Sequence, residues 1–234
     1  MIETVGDESM VAVAFSGGLD SSLLARCARR QARVVACTAF VRGAVDCERA
    51  KEGASALGVE LVARELTPGS AEEALKCLDL PFTPSLMDKS LWCLYATVSR
   101  VAHDAGARVL LLGQLADELF GGYSKYAEAL KDIGDVAART MMQADLEEYG
   151  VRGRVRDVEA CAPWVEPRFP FESRELAELA FSLPVSFKIR NGVRKAVLRR
   201  AATILGVPEE QAGAPKKAAQ YSSGIQKVVA ALPF

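Results

Sequence analysis

The sequence contains very little histidine and has no long apolar run. His103 is the one histidine among 234 residues, so mechanisms that need several imidazoles, such as those of His-rich zinc hydrolases, are excluded. We expect His103 to be an ordinary surface or satisfied side chain. No window approaches the ~20 apolar residues of a membrane span, and no signal peptide begins the chain. These absences predict a cytoplasmic protein without a membrane partner.

Cysteine is present but is not arranged for metal binding or for disulfides. The six cysteines are scattered, mostly within apolar segments, and no two of them form a C-x-x-C pair. In a cytosolic protein this pattern favours buried, reduced thiols and argues against zinc or iron-sulfur ligation. The residues are Cys27, Cys37, Cys47, Cys77, Cys93 and Cys161.

Neither sign of charge is in excess. Lysine and arginine (29) nearly cancel aspartate and glutamate (30), which leaves a formal net charge of -1. Non-specific binding to nucleic acid needs an excess of positive charge, so a general nucleic-acid partner is disfavoured. The composition, 50% hydrophobic and 25% charged, is that of a globular protein whose length suffices to bury a large core.

Strand and helix patterns alternate through the first half of the chain. Short apolar runs rich in β-branched residues predict strands, and segments of helical periodicity follow them. This alternation is typical of an α/β fold with a parallel, doubly wound sheet. We expect strands at 10–15, 33–41, 59–66 and 108–113, and helices at 19–30, 46–57, 71–78 and 90–105.

The second half predicts helices instead. The strand pattern stops after Tyr123, and amphipathic stretches are interrupted by a proline-bearing turn at 163–170. We therefore expect an α/β part over residues 1–125 and a helical C-terminal half over residues 126–234, which share an interface as one integrated domain. The expected helices cover about 126–149, 173–183 and 193–205.

The first strand ends in a segment that suits phosphate binding. Ser16-Gly-Gly-Leu-Asp-Ser-Ser22 lies between the expected strand and helix, where glycines let backbone N–H groups approach an anion and hydroxyls donate to it. The segment is neither a Walker loop nor a G-x-G-x-x-G fingerprint. The alternative is a plain strand-helix turn with capping serines.

The same heptapeptide resembles the PP-loop of the ATP pyrophosphatase superfamily. The later segment Gly113-Gln-Leu-Ala-Asp-Glu-Leu-Phe-Gly-Gly-Tyr123 is similar to the G-E-G-[AS]-D-E-[LV]-F-G-G-Y signature of the synthetase domain of asparagine synthetase. The resemblance implies an adenine nucleotide α-hydrolase-like sheet. In open α/β sheets, ligand sites collect outside the carboxyl ends of strands, so we expect the Ser16 and Gln114 loops to lie near one another. Further matches follow in the same order at 165–171, 194–199, 214–217 and 220–224.

This resemblance implies ATP and Mg²⁺ as cofactors and assigns residues to them. Asp20 and Asp117 match the family's magnesium-binding aspartates, although Asp117 as a turn or cap carboxylate is the alternative. Either Lys216 or Lys217 matches the family's reactive-loop lysine. Lys195 is expected near the phosphates, with a solvated helix face as its alternative. The nucleotide-binding set is Ser16, Gly17, Gly18, Leu19, Asp20, Ser21, Ser22, Gly113 and Lys195.

Gln114 departs from the family pattern, which has a glutamate there. In the family that carboxylate is thought to act as general base toward ammonia, and an amide cannot take a proton at neutral pH. Gln114 remains a candidate for hydrogen bonding to the substrate or the adenylate. The candidate bases in or near matched segments are Glu118, Asp157 and Glu166, each with a structural salt bridge as its alternative.

A second departure concerns the source of ammonia. Glutamine-dependent asparagine synthetases begin with a glutaminase domain, whereas this sequence reaches its first expected strand within about ten residues of Met1. We therefore expect no glutaminase in the chain. It would use free ammonia, another amine, or ammonia from a separate glutaminase or amidotransferase subunit, and a homo-oligomer is compatible with the sequence.

The resemblance implies an ATP-dependent carbon-nitrogen ligase that forms AMP. Such an enzyme adenylates a small-molecule carboxylate, releases pyrophosphate, and transfers ammonia or another amine to the activated acyl group. Two alternatives remain. One is a PP-loop enzyme that modifies tRNA, which the neutral charge and the missing C-x-x-C disfavour. The other is a degenerate ATP-binding regulatory subunit, for which Gln114 is the main argument.

Overall fold

The computed structural model describes residues 2–44, 46–214 and 223–233. Its centre is a five-stranded, all-parallel sheet in the order β3-β2-β1-β4-β5. The strands are β1 (Met10–Ala14), β2 (Arg33–Phe40), β3 (Glu60–Glu65), β4 (Val109–Leu111) and β5 (Glu166–Arg168). The expected parallel α/β sheet is thereby confirmed.

The centre of the sheet is made by its most apolar strands. Val11 of β1 pairs with Val34 of β2, and Ala12 of β1 pairs with Leu110 of β4. All three residues of β4 are fully buried, as expected of a central strand in a sheet that is covered on both faces. The strand order reverses between β1 and β4, and a ligand crevice forms at the carboxyl ends of strands at such a point.

Helices cover both faces of the sheet, so the fold is doubly wound. One core layer packs β1 against α2 (Leu19–Ala28) and α3 (Asp46–Leu57). The other packs the opposite face against α4 (Pro68–Lys76) and α5 (Leu86–Asp104). The described chain opens with a single-turn helix, α1 (Ile2–Val5).

Two of these helices begin earlier than their hydrophobic periodicity predicts. Helix α5 begins at Leu86 rather than near residue 90, because Ser85 and Asp88 form a capping box. The Ser85 hydroxyl accepts from the Asp88 N–H at 3.1 Å, and Asp88 Oδ2 accepts from the Ser85 N–H at 3.0 Å. Helix α4 begins at Pro68 behind a similar box at Thr67.

The second half is mainly helical, as expected, but its first long helix is divided. Gly134, at φ 121°, separates α7 (Ser124–Asp132) from α8 (Asp135–Glu148), and a π-helical turn, Tyr149–Gly153, follows. A positive φ is open to glycine at little steric cost. The remaining helices are α6 (Ala116–Phe120), α9 (Arg154–Cys161), α10 (Arg174–Ser182), α11 (Val185–Lys188), α12 (Ala196–Ile204), α13 (Glu209–Gly213) and α14 (Ile225–Ala230).

The expectation that no strand follows Tyr123 is wrong, because β5 lies in the second half of the chain. This strand lies inside the segment expected to be a proline-bearing turn, and it extends the sheet beyond β4. Pro167 hid it from pattern analysis, because proline is unusual in a strand. It is tolerated here since β5 is an edge strand, whose outer side needs no ladder of hydrogen bonds.

The cysteines and the histidine behave largely as expected. All six cysteines are free and four are buried, but Cys27 is half-buried and Cys77 is exposed. His103 is an exposed residue of α5 whose ring meets the Trp164 ring edge-on at 5.8 Å. Within the described ranges, no helix combines the length and the apolarity needed to cross a bilayer.

Candidate functional site

A cavity opens where the carboxyl ends of β1, β2 and β4 meet. The loops after β1 and β4 form its floor, and α5 contributes one wall through Leu94, Tyr95 and Val98. Of the expected nucleotide-binding residues, Gly17 and Ser22 lie next to this lining rather than in it. The others line the cavity directly: Ser16, Gly18, Leu19, Asp20, Ser21, Gly113 and Lys195.

The loop after β1 is held in a compact turn by its own serines. Ser21 Oγ donates to the Gly18 carbonyl at 3.3 Å, and Ser16 Oγ accepts from the Gly18 N–H at 3.4 Å. Gly17 adopts φ 68°, and a Cβ there would lie 2.7 Å from the Arg49 carbonyl carbon of α3. Glycine is therefore needed at residue 17 for both its conformation and the close packing of α3.

The start of α2 has hydrogen-bond donors that suit an anion. Gly18 precedes the helix and provides no capping side chain, so it leaves the first N–H groups of the helix without a side-chain cap of its own. The hydroxyl of Ser22 is buried and has no partner among the described residues. A phosphate accepts hydrogen bonds from both kinds of donor, so the residues present fit the phosphates of ATP.

The loop after β4 lies directly against the loop after β1. A Cβ on Gly113 would lie 3.4 Å from Asp20 Cβ, which confirms that the two loops are neighbours. Leu115 adopts the left-handed conformation at φ 71°, an uncommon state for leucine that turns the chain into α6. This turn directs Asp117, in the first turn of α6, toward Asp20.

Lys195 joins these two aspartates. Its Nζ lies 2.8 and 2.7 Å from the two carboxylate oxygens of Asp20 and 2.8 Å from Asp117 Oδ1. Burial alone would lower the pKa of Lys195, but the charges of Asp117 and Asp20 outweigh burial and raise its pKa above the usual value. With 2% of its surface exposed, Lys195 is not on a solvated helix face, so that alternative is excluded.

The same aspartates are the expected magnesium ligands. They converge on one point and present hard oxygen ligands, which Mg²⁺ prefers. Over the part of the chain that the structure describes, no group of three or more histidine, cysteine or acidic side chains could hold a metal. Two carboxylates suit a Mg²⁺ that takes its remaining ligands from phosphates and water, so the residues fit that ion.

Two further cations line the cavity and were missed by sequence reasoning. Arg49 of α3 donates from Nε to the Ser16 carbonyl at 2.9 Å. Arg199 of α12 donates to the carbonyls of Ala212 and Ala214 at 2.7 and 2.9 Å. Arg199 belongs to the matched 194–199 segment, whereas Arg49 lies in no motif, so the sequence offered no signal for it.

The expected reactive-loop lysines lie outside the described residues. Lys216 and Lys217 fall within the 215–222 range, of which nothing is described. The residues on either side of this range, Ala214 and Ser223, both line the cavity. Ser223 is anchored there because its carbonyl accepts from the Val41 N–H at 3.0 Å.

Gln114 lines the cavity, but the three candidate bases do not. Asp157 is completely buried behind Gln114 and accepts a hydrogen bond from Gln114 Nε2. Glu118 accepts from the Tyr123 hydroxyl at 2.7 Å, and burial together with the charge of Asp117 raises the pKa of Glu118. Both acids therefore lie near the cavity without facing it.

Glu166 lies away from the cavity. It is the first residue of β5 and pairs with Val109 at the start of β4, so it lies at the amino end of the sheet. Its carboxylate is 2.7 Å from Arg168, and the hydrogen bond from Arg168 lowers the pKa of Glu166. The structure does not bring Glu166 together with the other expected site residues.

Comparison with known proteins gives matches along nearly the whole chain. The model of the family described as Asparagine synthase matches residues 4–164 and 133–232. A Methanocaldococcus jannaschii protein provisionally named glutamine-hydrolysing asparagine synthetase 1 is 29% identical over 94% of this chain and 47% of its own length. The asparagine synthetase domain-containing protein 1 of Mus musculus is 31% identical over 62% of this chain and 26% of its own length.

The chain therefore spans about half or less of the length of these curated relatives. Among solved structures, a predicted subunit of tRNA methyltransferase from Methanocaldococcus jannaschii is similar at a TM-score of 0.38 and 16% identity, covering 89% of this chain and 93% of that one. A tRNA thiolase of Methanococcus maripaludis is similar at the same TM-score and identity, covering 99% of this chain and 77% of that one. Similarity at this level does not bear on function.

Proposed function

The chain belongs to the asparagine synthase family, and we propose that it is an AMP-forming carbon-nitrogen ligase. Membership in this family supports an ATP-dependent ligase. In the proposed reaction, a small-molecule carboxylate is adenylated with release of pyrophosphate, and ammonia or another amine then displaces AMP to form an amide.

The observation that carries this proposal is the placement of Lys195. Its ammonium lies between Asp20 and Asp117, one from each loop, on a cavity also lined by Arg49 and Arg199. Cations around one phosphate-binding loop suit a reaction in which negative charge develops and then leaves as pyrophosphate. Simple nucleotide binding would not need so many charged groups at one point.

The residues have distinct roles in the adenylation step. ATP supplies the adenylyl group, and Asp20 and Asp117 would hold a Mg²⁺ that would neutralise phosphate charge. The donors of the loop at 16–22 hold the pyrophosphate portion, and Lys195 neutralises the charge that develops on it. A carboxylate oxygen of the substrate bonds to the α-phosphorus as the bond from phosphorus to pyrophosphate breaks.

The amide-forming step follows in the same cavity. The amine nitrogen bonds to the acyl carbon, the bond from that carbon to AMP breaks, and the nitrogen loses a proton to solvent. Lys216 or Lys217 is proposed to neutralise the charge that develops on the acyl-adenylate. Gln114 is proposed to hydrogen-bond the amine, since an amide accepts a hydrogen bond but does not take up a proton.

The proposal also concerns the source of the amine. We propose that ammonia comes from solution or from a separate glutaminase or amidotransferase subunit. The relative from Methanocaldococcus jannaschii is described as glutamine-hydrolysing, and this chain matches 47% of it. Assembly with such a subunit or with a second copy of the chain, and a cytoplasmic location, are parts of the same proposal.

AMP release tests the proposed reaction. The protein is incubated with ATP, Mg²⁺, ammonium and pooled carboxylates, AMP is quantified, and active pools are analysed by mass spectrometry for amides. We expect AMP and an amide in equal amounts from at least one pool. Lys195→Met should lower the rate by about a hundredfold or more, the usual cost of losing one charge-stabilising group.

Lys51→Met is the matched control for Lys195→Met. Lys51 is an exposed lysine of α3 that pairs with Glu48, away from the cavity lining. Its replacement should leave the rate unchanged. AMP formation that required tRNA instead of a carboxylate would replace the proposal with the tRNA-modifying alternative. Tight ATP binding without AMP, even in Gln114→Glu, would favour a regulatory subunit.

A further inference from the structure

A series of buried side chains, linked by hydrogen bonds, lies behind the cavity and ends at Gln114. Arg156 of α9 donates from Nη1 to Asp88 Oδ1 of α5 at 2.9 Å and from Nε to Asp157 Oδ1 at 2.8 Å. The side chains of Asp88, Arg156 and Asp157 are 6%, 5% and 0% exposed. These three side chains are enclosed by protein, so each is held in place by its hydrogen-bond partners.

The second oxygen of Asp157 determines which end of the Gln114 amide it meets. Asp157 Oδ2 accepts from the Tyr149 hydroxyl at 3.2 Å and from Gln114 Nε2. Asp157 Oδ1 lies 2.8 Å from Arg156, and a carboxylate ion-paired in this way accepts hydrogen bonds and has none to donate, so the amide presents its NH₂ group to Asp157. The hydrogen-bond partners of Asp157 therefore select the orientation of the Gln114 amide.

The other end of the amide is left for a ligand. Gln114 lines the cavity, whereas Asp157 does not. With its NH₂ group committed to Asp157, Gln114 has only its carbonyl oxygen to offer there. A carbonyl oxygen accepts from N–H and O–H donors and repels a carboxylate.

We propose that Asp157 is a positioning residue that turns the Gln114 carbonyl oxygen toward the cavity, where it accepts a hydrogen bond from an N–H of the attacking amine. The identity of the donor as an amine rests on the proposed function, whereas the orientation of the amide does not. Asp157 acts through Gln114, because it is enclosed and does not reach the cavity. This role replaces that of a general base for Asp157.

Substitution of Asp157 by asparagine should reverse the orientation of the Gln114 side-chain amide. Arg156 donates to one oxygen of Asp157. In Asp157→Asn, the asparagine carbonyl oxygen should therefore face Arg156, because an NH₂ group there could not accept from it. The new NH₂ group then faces Gln114, whose carbonyl must turn toward it. The Gln114 NH₂ group would then face the cavity, and the acceptor for the amine would be lost.

Nuclear magnetic resonance of ¹⁵N-labelled protein tests the orientation without any activity. The Gln114 NH₂ signals are assigned by their disappearance in Gln114→Met. In the unsubstituted protein they should exchange slowly with solvent, because the group is hydrogen-bonded to a buried carboxylate. In Asp157→Asn exchange should become about tenfold faster or more, since the group then faces the cavity. Tyr149→Phe removes another donor to Asp157 and should leave the Gln114 signals protected.

Kinetics tests the acceptor role, with ammonium and hydroxylamine as the amines. Asp157→Asn should raise the KM for either amine about tenfold, the usual effect of one lost hydrogen bond, and leave the KM for ATP unchanged. In the Gln114→Met background, Asp157→Asn should have no further effect on the amine KM, because the two residues act as one unit. Melting temperatures establish that each variant is folded.

Each outcome decides the proposal. Fast exchange of the Gln114 NH₂ group in the unsubstituted protein would overturn it, even if Asp157→Asn failed to fold. An equal rise in the KM for ATP and amine would assign Asp157 a merely structural role and also overturn it. If the unsubstituted protein formed no AMP with any carboxylate, the proposed function would fail. The exchange measurement would still decide the orientation of Gln114.

Discussion

Two clusters in this protein each place a buried cation between two aspartates. In the cavity cluster, Lys195 lies between Asp20 and Asp117. In the enclosed cluster, the cation is Arg156, and Asp88 and Asp157 flank it. In the enclosed cluster, the partly exposed Arg152 also lies 3.6 Å from Asp88. The difference lies in the access to each cluster and in the chemistry of its cation.

Access differs because the clusters are built from different elements. The cavity cluster draws on the first turns of α2 and α6 and on the residue before α12, where loops meet at the carboxyl edge of the sheet. The enclosed cluster lies between α5 and α9, two helices packed against the same face. A ligand can reach the first cluster but not the second.

The two cations differ in the same sense. Lysine is a compact point charge on a flexible stem, whereas arginine is a rigid fork that donates in fixed directions. In the proposed function, the lysine between two carboxylates is the cation that a metal and phosphates would replace. An arginine between two carboxylates fixes both of them. We therefore expect the cavity cluster to exchange its cation and the enclosed cluster to keep its arginine.

Removal of the enclosed cation should have the largest effect. Arg156→Met preserves much of the side-chain volume but removes the arginine that pairs with the fully buried Asp157 and leaves Asp88 with the partly exposed Arg152, so the free energy of unfolding should fall by about 3–5 kcal/mol. Burial raises the pKa of Asp157, and Arg156 is the main charge that lowers it. Without Arg156 the folded state binds more protons, so the deficit should shrink as the pH is lowered from 7. Urea unfolding at several pH values measures both effects.

Arg174→Met is the control for this substitution. Arg174 and Glu178 form an exposed pair on α10, so the free energy of unfolding should change by less than about 0.5 kcal/mol. Equal effects of the two arginine substitutions would remove the distinction between an enclosed cluster and a surface pair. If the loss of unfolding free energy in Arg156→Met grew as the pH was lowered, Asp157 would not be taking up a proton in the folded variant, which would contradict this prediction.

The fold was largely predictable from the sequence because its signals are local. The alternation of apolar runs and helical periodicity identified four of the five strands and their parallel arrangement. The fifth, β5, was missed because a three-residue edge strand with Pro167 has almost no pattern of its own. Gly134 divided an expected helix because its left-handed conformation ended α7.

The site was predictable only where it is carried by contiguous motifs. The loops at 16–22 and 113–123 are such motifs, and their contact followed from the switch point of a parallel sheet. The pairing of Gln114 with Asp157 spans 43 positions and depends on how α9 packs, which no local pattern encodes. Arg49 reaches the cavity for a similar reason, through the packing of α3 on Gly17.

A small disturbance of the cavity cluster should have an intermediate effect. A Cβ on Gly122 would overlap the Asp117 carboxylate and lie 2.5 Å from Lys195 Cε, so Gly122→Ala should separate the lysine from Asp117 and lower the free energy of unfolding by about 1–3 kcal/mol. Gly150→Ala is the matched control, because a Cβ there meets nothing within 4 Å. It should stabilise the protein slightly or leave it unchanged. Equal losses in both variants would show that Gly122 makes no special room for Lys195.

The exchange of cations itself gives the smallest expected effect and the sharpest comparison. The Lys195 ammonium lies where a divalent ion would approach Asp20 and Asp117. Lys195→Met removes that competitor, so Mn²⁺ should bind about tenfold more tightly, a difference of roughly 1.4 kcal/mol. Electron paramagnetic resonance of Mn²⁺ measures the affinity, with Lys51→Met as the control of unchanged affinity. Because Asp88 and Asp157 are enclosed, Arg156→Met should gain no such site. Tighter Mn²⁺ binding by Arg156→Met would mean that both clusters exchange their cations.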